Sequence, residues 1–175
     1  MEIIGFLLLA FLIGVTIYYR KNPTNAMVKE IHNCENVKDA IQTIGYGRVY
    51  PYYTGMKLED VKKIVEQTKG SHKAYEEGLM MMRMMGLMCS LPIPSPDVYG
   101  INDIRLHFGK YEQVTSITLP FNDKQTFLEA CEYLKIKFGT PYSSNKEFVI
   151  WRNKYMVINI TWEDQSINII DERFF

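Results

Sequence analysis

Residues Ile3 to Tyr19, IIGFLLLAFLIGVTIYY, run for seventeen positions without a charge, and Arg20 and Lys21 follow at once. That length is the lower limit for crossing the ~30 Å hydrocarbon layer as a helix rising ~1.5 Å per residue. Phe6, Leu7, Leu8, Leu9, Phe11, Leu12 and Ile13 leave no polar face, as a helix packed on a soluble core would need. A cleaved signal peptide wants basic residues before the run and small ones at its end. Here Glu2 precedes the run and Tyr18-Tyr19-Arg20-Lys21 closes it. The expectation is a single-pass transmembrane helix over residues 1–21, with membrane contact through residues 3–19. Tyr18 and Tyr19 would lie at the headgroup layer, and Arg20 and Lys21 would snorkel into it.

Charge sets the expected orientation. Arg20, Lys21 and Lys29 follow the span, whereas only the α-amino group and Glu2 precede it. Basic residues favour the cytoplasmic side, which puts the N-terminus outside and the soluble domain in the cytoplasm. Cys34, Cys89 and Cys131 are odd in number and lack a CxxC spacing, which suits a reducing compartment.

Beyond the span the chain has the length of one ordinary domain. Hydrophobic residues make up 47% of it, enough for a folded body. Twenty basic residues balance twenty acidic ones, so the basic stripe that nucleic-acid binding requires is lacking. The division expected is an anchor over 1–21, a helical connector with a tyrosine-rich loop over 22–53, and an α+β domain over 54–175.

In the connector, Asn22-Pro23-Thr24-Asn25 interrupts the anchor helix. Met27, Val28, Ile31, Cys34, Val37, Ala40, Ile41 and Ile44 then recur at helical spacing, with Asn36 and Asp39 as a cap pair and Gly45 as a stop. The next stretch, Gly45 to Gly55, reads as a loop by its glycines and Pro51. Tyr46, Arg48, Tyr50, Tyr52 and Tyr53 are candidate partner-binding residues, because aromatic and arginine side chains dominate binding hot spots. The competing reading lays these rings over the domain's own core with their hydroxyls in water.

Leu58, Val61, Ile64, Val65 and Thr68 mark an amphipathic helix ending at Gly70, and Ser71 caps a second from His72 to about Cys89. The second helix carries six methionines, Met80, Met81, Met82, Met84, Met85 and Met88. Three readings compete: pliable core filler, an adaptable partner-binding surface, and a Cu(I) site with His72 and Cys89. The last lacks convergent ligands. Six methionines exceed one narrow stripe, so the expectation is a helix enclosed on most sides, with Met80 and Met82 at the surface as candidate partner contacts. Leu91-Pro92-Ile93-Pro94-Ser95-Pro96 reads as an extended polyproline strap.

From Asp103 onward the pattern turns to strands. Ile104, Leu106 and Phe108 alternate with polar residues, Gly109-Lys110 fits a two-residue type II′ turn, and a return strand runs Tyr111–Leu119. Asn122 with Gln125 resembles a capping box for a helix whose apolar face is Phe127, Leu128, Cys131, Leu134 and Phe138, stopped by Gly139 and Pro141. Strands over 148–151, 155–162 and 167–171 form an antiparallel meander. The body thus repeats a helix-then-strands order, over 57–119 and again over 123–171. It is expected to be α+β, with helices packed on one antiparallel sheet of about five strands.

Gly55-Met56-Lys57-Leu58-Glu59-Asp60-Val61 resembles the helix opening of the small protein A family of outer-membrane assembly lipoproteins, which share their fold with β-lactamase inhibitor proteins. Phe138-Gly139-Thr140-Pro141 is similar to a helix end found there, although here it closes a later helix. The chain departs from that family in lacking a lipobox cysteine. The resemblance implies a non-catalytic domain that binds other proteins.

No serine or cysteine lies in a recognisable nucleophile motif, and Gly45-x-Gly47 follows a helix rather than a strand, so it is no phosphate loop. Neither cofactor nor metal is expected. The function expected is a membrane-anchored, non-catalytic interaction domain, scaffolding or regulating a membrane-associated complex. An immunity or inhibitor-type protein acting at the membrane is one rival. A membrane-tethered hydrolase with a site around Tyr46–Tyr53 and His107 is the other.

Overall fold

The computed structural model describes residues 36–67, 73–85, 90–94, 101 and 103–175. The charge-free run Ile3–Tyr19, the connector as far as residue 35, Cys89 and Met88 lie outside these residues. Among the described residues no helix is long and apolar enough to cross a membrane.

Asn36 caps the first helix, α1 (Val37–Ala40), accepting from the N–H groups of Lys38 and Asp39 at 2.9 and 3.2 Å. The helix lasts a single turn, and a 3-10 turn at Ile44–Tyr46 follows. The stretch read as a loop is a small hairpin, β1 (Arg48–Val49) and β2 (Tyr52–Tyr53), joined by a cis Tyr50–Pro51 peptide. Then come α2 (Leu58–Gln67) and α3 (Lys73–Met85). The strands of the first pass are β3 (Leu91–Pro94), β4 (Asp103–Phe108) and β5 (Val114–Pro120). Helix α4 (Lys124–Phe138) opens the second pass, followed by β6 (Ser143–Ser144), β7 (Phe148–Arg152), β8 (Met156–Thr161) and β9 (Ser166–Asp171).

All seven strands from β3 to β9 belong to one antiparallel sheet, in the order β3-β4-β5-β9-β8-β7-β6. The last strand of each pass pairs with the other, Leu119 opposite Ile167 and Ile117 opposite Ile169. The two strands beyond the expected five lie at the edges. The polyproline strap is edge strand β3, with Leu91 and Ile93 buried and Pro92 and Pro94 opposite Arg105 and Asp103. An edge tolerates proline, which lacks the N–H that a central ladder needs. The buried face of the sheet (Ile104, Leu106, Ile117, Leu119, Ile158, Ile160, Ile167 and Ile169) shares one core with Val61, Ile64 and Val65 of α2 and with Phe127, Ala130 and Leu134 of α4.

Two turns differ from their sequence reading. The α4 cap is Asp123, one residue later than Asn122, and its carboxylate accepts from Thr126 N–H at 2.7 Å. A carboxylate there also opposes the positive end of the helix dipole. The β4–β5 link spans residues 109–113, with Glu112 in the left-handed region (φ 55°), so Gly109 does not serve a two-residue turn. It is there for proximity: a Cβ on Gly109 would lie 2.4 Å from the Phe174 carbonyl oxygen. The link is lengthened because Gly55–Leu58 pairs with it, through Gly55 N–H to Val114 O at 2.7 Å and Leu58 N–H to Glu112 O at 2.9 Å.

Two aliphatic residues of α4 separate burial from hydrophobicity alone: Leu134 is fully buried and Ile136 is exposed. Leu134→Ala is predicted to cost about 2–5 kcal/mol in urea unfolding. Ile136→Ala should stay within about 0.5 kcal/mol of wild type. Equal losses would refute the assigned face.

Candidate functional site

The five residues of the tyrosine loop divide by side. Tyr52 is 2% exposed, and burial foremost, with Tyr75 beside it, pushes its phenol far above the ordinary range. It is core and reaches no partner, because the β1–β2 hairpin turns it inward. Tyr53 is half-buried and its phenol is also raised, first by burial and then by Asp60, with Arg48 opposing. Tyr50 is partly buried, Arg48 is exposed and Tyr46 is 79% exposed.

Tyr46 and Arg48 line a pocket of about 540 Å³ together with Thr43, Asn153, Tyr155 and Arg173. An adjoining pocket of about 330 Å³ shares Asn153 and Met156 with it and is bounded by Phe138 and Trp151. Thus a surface read from residues 46–53 draws half its wall from the β7–β8 turn and the chain's last residues. His107 is not among the residues lining the larger pocket. It lies half-buried on the outer face of the sheet, opposite Ser116, with its pKa lowered by burial and then by Arg105. Among the described residues, no group of three or more His, Cys, Asp or Glu is placed to hold a metal ion.

A buried carboxylate holds Arg173, one of the residues that line the larger pocket. Asp171, at the end of β9, accepts from Thr54 Oγ1 at 2.9 Å and from Arg173 through N–H (3.1 Å), Nε (2.9 Å) and Nη2 (2.6 Å). Burial alone would raise its pKa, but these donors outweigh burial and hold it below the usual carboxylate range. The same bonds clamp the β1–β2 hairpin to the C-terminus. Gly47 (φ 72°) permits the approach, since a Cβ there would stand 2.2 Å from Thr54 Oγ1.

The methionine helix departs from expectation in part: Met80 is at the surface as expected, but Met82 is buried and the other described methionines are not enclosed. Tyr75, Gly78 and Met82, spaced i, i+3, i+7, are its buried stripe. Met82 is 6% exposed, whereas Met80, Met81, Met84 and Met85 are all exposed, Met80 at 62% and Met84 at 71%. Gly78 decides this orientation: a Cβ there would lie 2.6 Å from Pro92 Cδ, so the glycine is the notch through which α3 seats on β3. Met82 is therefore core, and a glycine inside the run was the signal for which face turns inward.

No family model and no curated protein matches the chain. Among solved structures, the crystal structure of the C-terminal domain of TagH is similar at a TM-score of 0.35 and 14% identity, covering 67% of this chain and 48% of that one. A likeness that distant carries no conclusion about fold or function.

The Asp171 network has a pH signature. A folded-state pKa below the unfolded value of ~3.9 stabilises the fold above that pH and is lost as pH falls through the folded value. Urea unfolding followed from neutral pH to about pH 2 should show wild-type stability falling along the acid limb. Asp171→Asn, less stable at neutral pH, should fall less steeply; parallel curves would remove Asp171 from the linkage.

Proposed function

We propose that this chain is a membrane-anchored, non-catalytic interaction module. Residues 3–19 tether it as a single span with the N-terminus outside, and an α+β body in the cytoplasm engages a protein partner of a membrane complex. The observation that carries the reading is the methionine surface of α3. Met80, Met81, Met84 and Met85 form an exposed apolar set on a helix whose docking stripe is already satisfied by Tyr75, Gly78 and Met82. Unbranched thioether chains repack cheaply, so such a surface suits adaptable apolar contact with a partner. Contiguous exposed apolar surface is also a feature of protein interaction sites. The resemblance at Gly55–Val61 implies the same class of role, protein binding without catalysis.

Two measurements test the proposal. The full chain should resist alkaline carbonate extraction from membranes, and deleting residues 3–19 should release it; extraction of the intact chain would defeat the anchor. Met80→Gln combined with Met84→Gln should change folding stability by no more than about 0.5 kcal/mol, as exposed substitutions do. The same variant should lose the proteins that co-purify with wild type from detergent. Retained partners would rule out this face as the contact surface.

A further inference from the structure

The pocket walled by Tyr46, Arg48 and Arg173 carries a surplus of hydrogen-bond donors. Its nearby carboxylates are already committed. Asp171 is saturated by Thr54 and Arg173, and Glu172 accepts from Arg152 through both oxygens, at 2.8 and 3.0 Å. Arg48 makes no ion pair among the described residues. Arg173 spends Nε and Nη2 on Asp171, which leaves its other amino group to donate elsewhere. Asn153 spends its side-chain oxygen on the N–H groups of Tyr155 (3.2 Å) and Met156 (2.9 Å), so the free end of its amide is the donor end. Thr43 also lines the pocket, but its Oγ1 is enclosed and adds no donor to it. Lys154, 4.9 Å above the ring of Tyr155, adds positive charge beside the pocket.

We propose that this pocket binds the phosphate group of a phosphomonoester. The donors come from three separate segments: Arg48 in the hairpin, Asn153 at the β7–β8 turn, and Arg173 after β9. A carboxylate offers two oxygens in one plane, whereas a phosphomonoester presents three around a tetrahedron and can meet donors from separate walls. Arginine forks suit such oxyanions, and charge-assisted bonds to them are the stronger class. Tyr46, at the rim, is placed to cover the group attached to the phosphate. This site is separate from the methionine surface, with β4 and β5 between β3, on which α3 sits, and β9. Either site can fail without the other.

The test uses the full chain in detergent micelles, with phenyl phosphate as a soluble probe, dihexanoyl phosphatidic acid as a lipid probe and benzoate as the planar control. Isothermal titration should show saturable binding of a phosphate probe and at least about tenfold weaker binding of benzoate. Arg48→Ala should weaken the phosphate probe by about tenfold or more, the scale of one lost charge-assisted bond. The Arg48 side chain is exposed, so that variant should keep the wild-type melting temperature without ligand. Lys110→Ala, in the remote β4–β5 link, should bind as wild type. Arg48-dependent binding of both probes would identify a soluble phosphomonoester as ligand, and of phosphatidic acid alone a lipid headgroup. Absence of binding by either probe, binding indifferent to Arg48→Ala, or benzoate equal to phenyl phosphate would overturn the proposal.

Discussion

The antiparallel pairing of β5 with β9 is the contact on which the rest of the architecture depends. Each helix-then-strands pass ends in one of these strands, and their pairing turns two small sheets into one of seven strands. Ile117, Leu119, Ile167 and Ile169 are all fully buried at this seam. Without it, each half would expose a long, apolar, unpaired edge, which is a hazard for aggregation. With it, the strands left at the margins are β3, which carries prolines, and β6, which is two residues long. Both are poor templates for further pairing.

The segment before α2 is held by a different device. Its hairpin is too short to stand alone, since an isolated two-stranded ribbon is marginal in water. It persists because Thr54 and Arg173 converge on Asp171 and because glycines admit the close approach. Gly55 (φ 87°) faces the Phe174 ring, which a Cβ would meet at 2.5 Å, while Gly109 faces the Phe174 backbone. The segment after the hairpin and the residues after β9 are thus fastened together.

The sequence was legible where one period dominates. Alternation in Met156–Trp162 and the 3.6-residue spacing of Phe127, Cys131 and Leu134 placed β8 and most of α4 on their correct faces, because burial on one side leaves a regular trace; Leu128, read onto the same face, is exposed. Legibility failed where tertiary pairing overrides local signals. Prolines at alternate positions argue against a strand, yet β3 forms because Leu91 and Ile93 gain burial at an edge that asks little of the proline nitrogens. On α3, methionine at five of the last six positions erased the periodic trace there, and only Gly78 identified the docking stripe. Of the candidate site, Tyr46 and Arg48 were visible in one stretch. Asn153 and Arg173 were not, because no local pattern records that the chain's last residues return beside its hairpin.

That return also explains why the pocket is rich in donors. A carboxylate as buried as Asp171 stays charged only if donors surround it, so the fold requires Arg173 to be held against it. A guanidinium has more N–H groups than one carboxylate can use, and the remainder is presented in a fixed direction. The backbone of Arg48 is placed in register opposite Tyr53, in the hairpin next to Thr54, while its exposed side chain stays free to move. Ordering the Arg173 side chain before a ligand arrives lowers the entropy that binding would otherwise cost. The ionic bond that secures the end of the sheet therefore also prepares one donor of the pocket, and substitutions at Asp171 and Arg173 should perturb stability and ligand affinity together, whereas those at Arg48 should separate them.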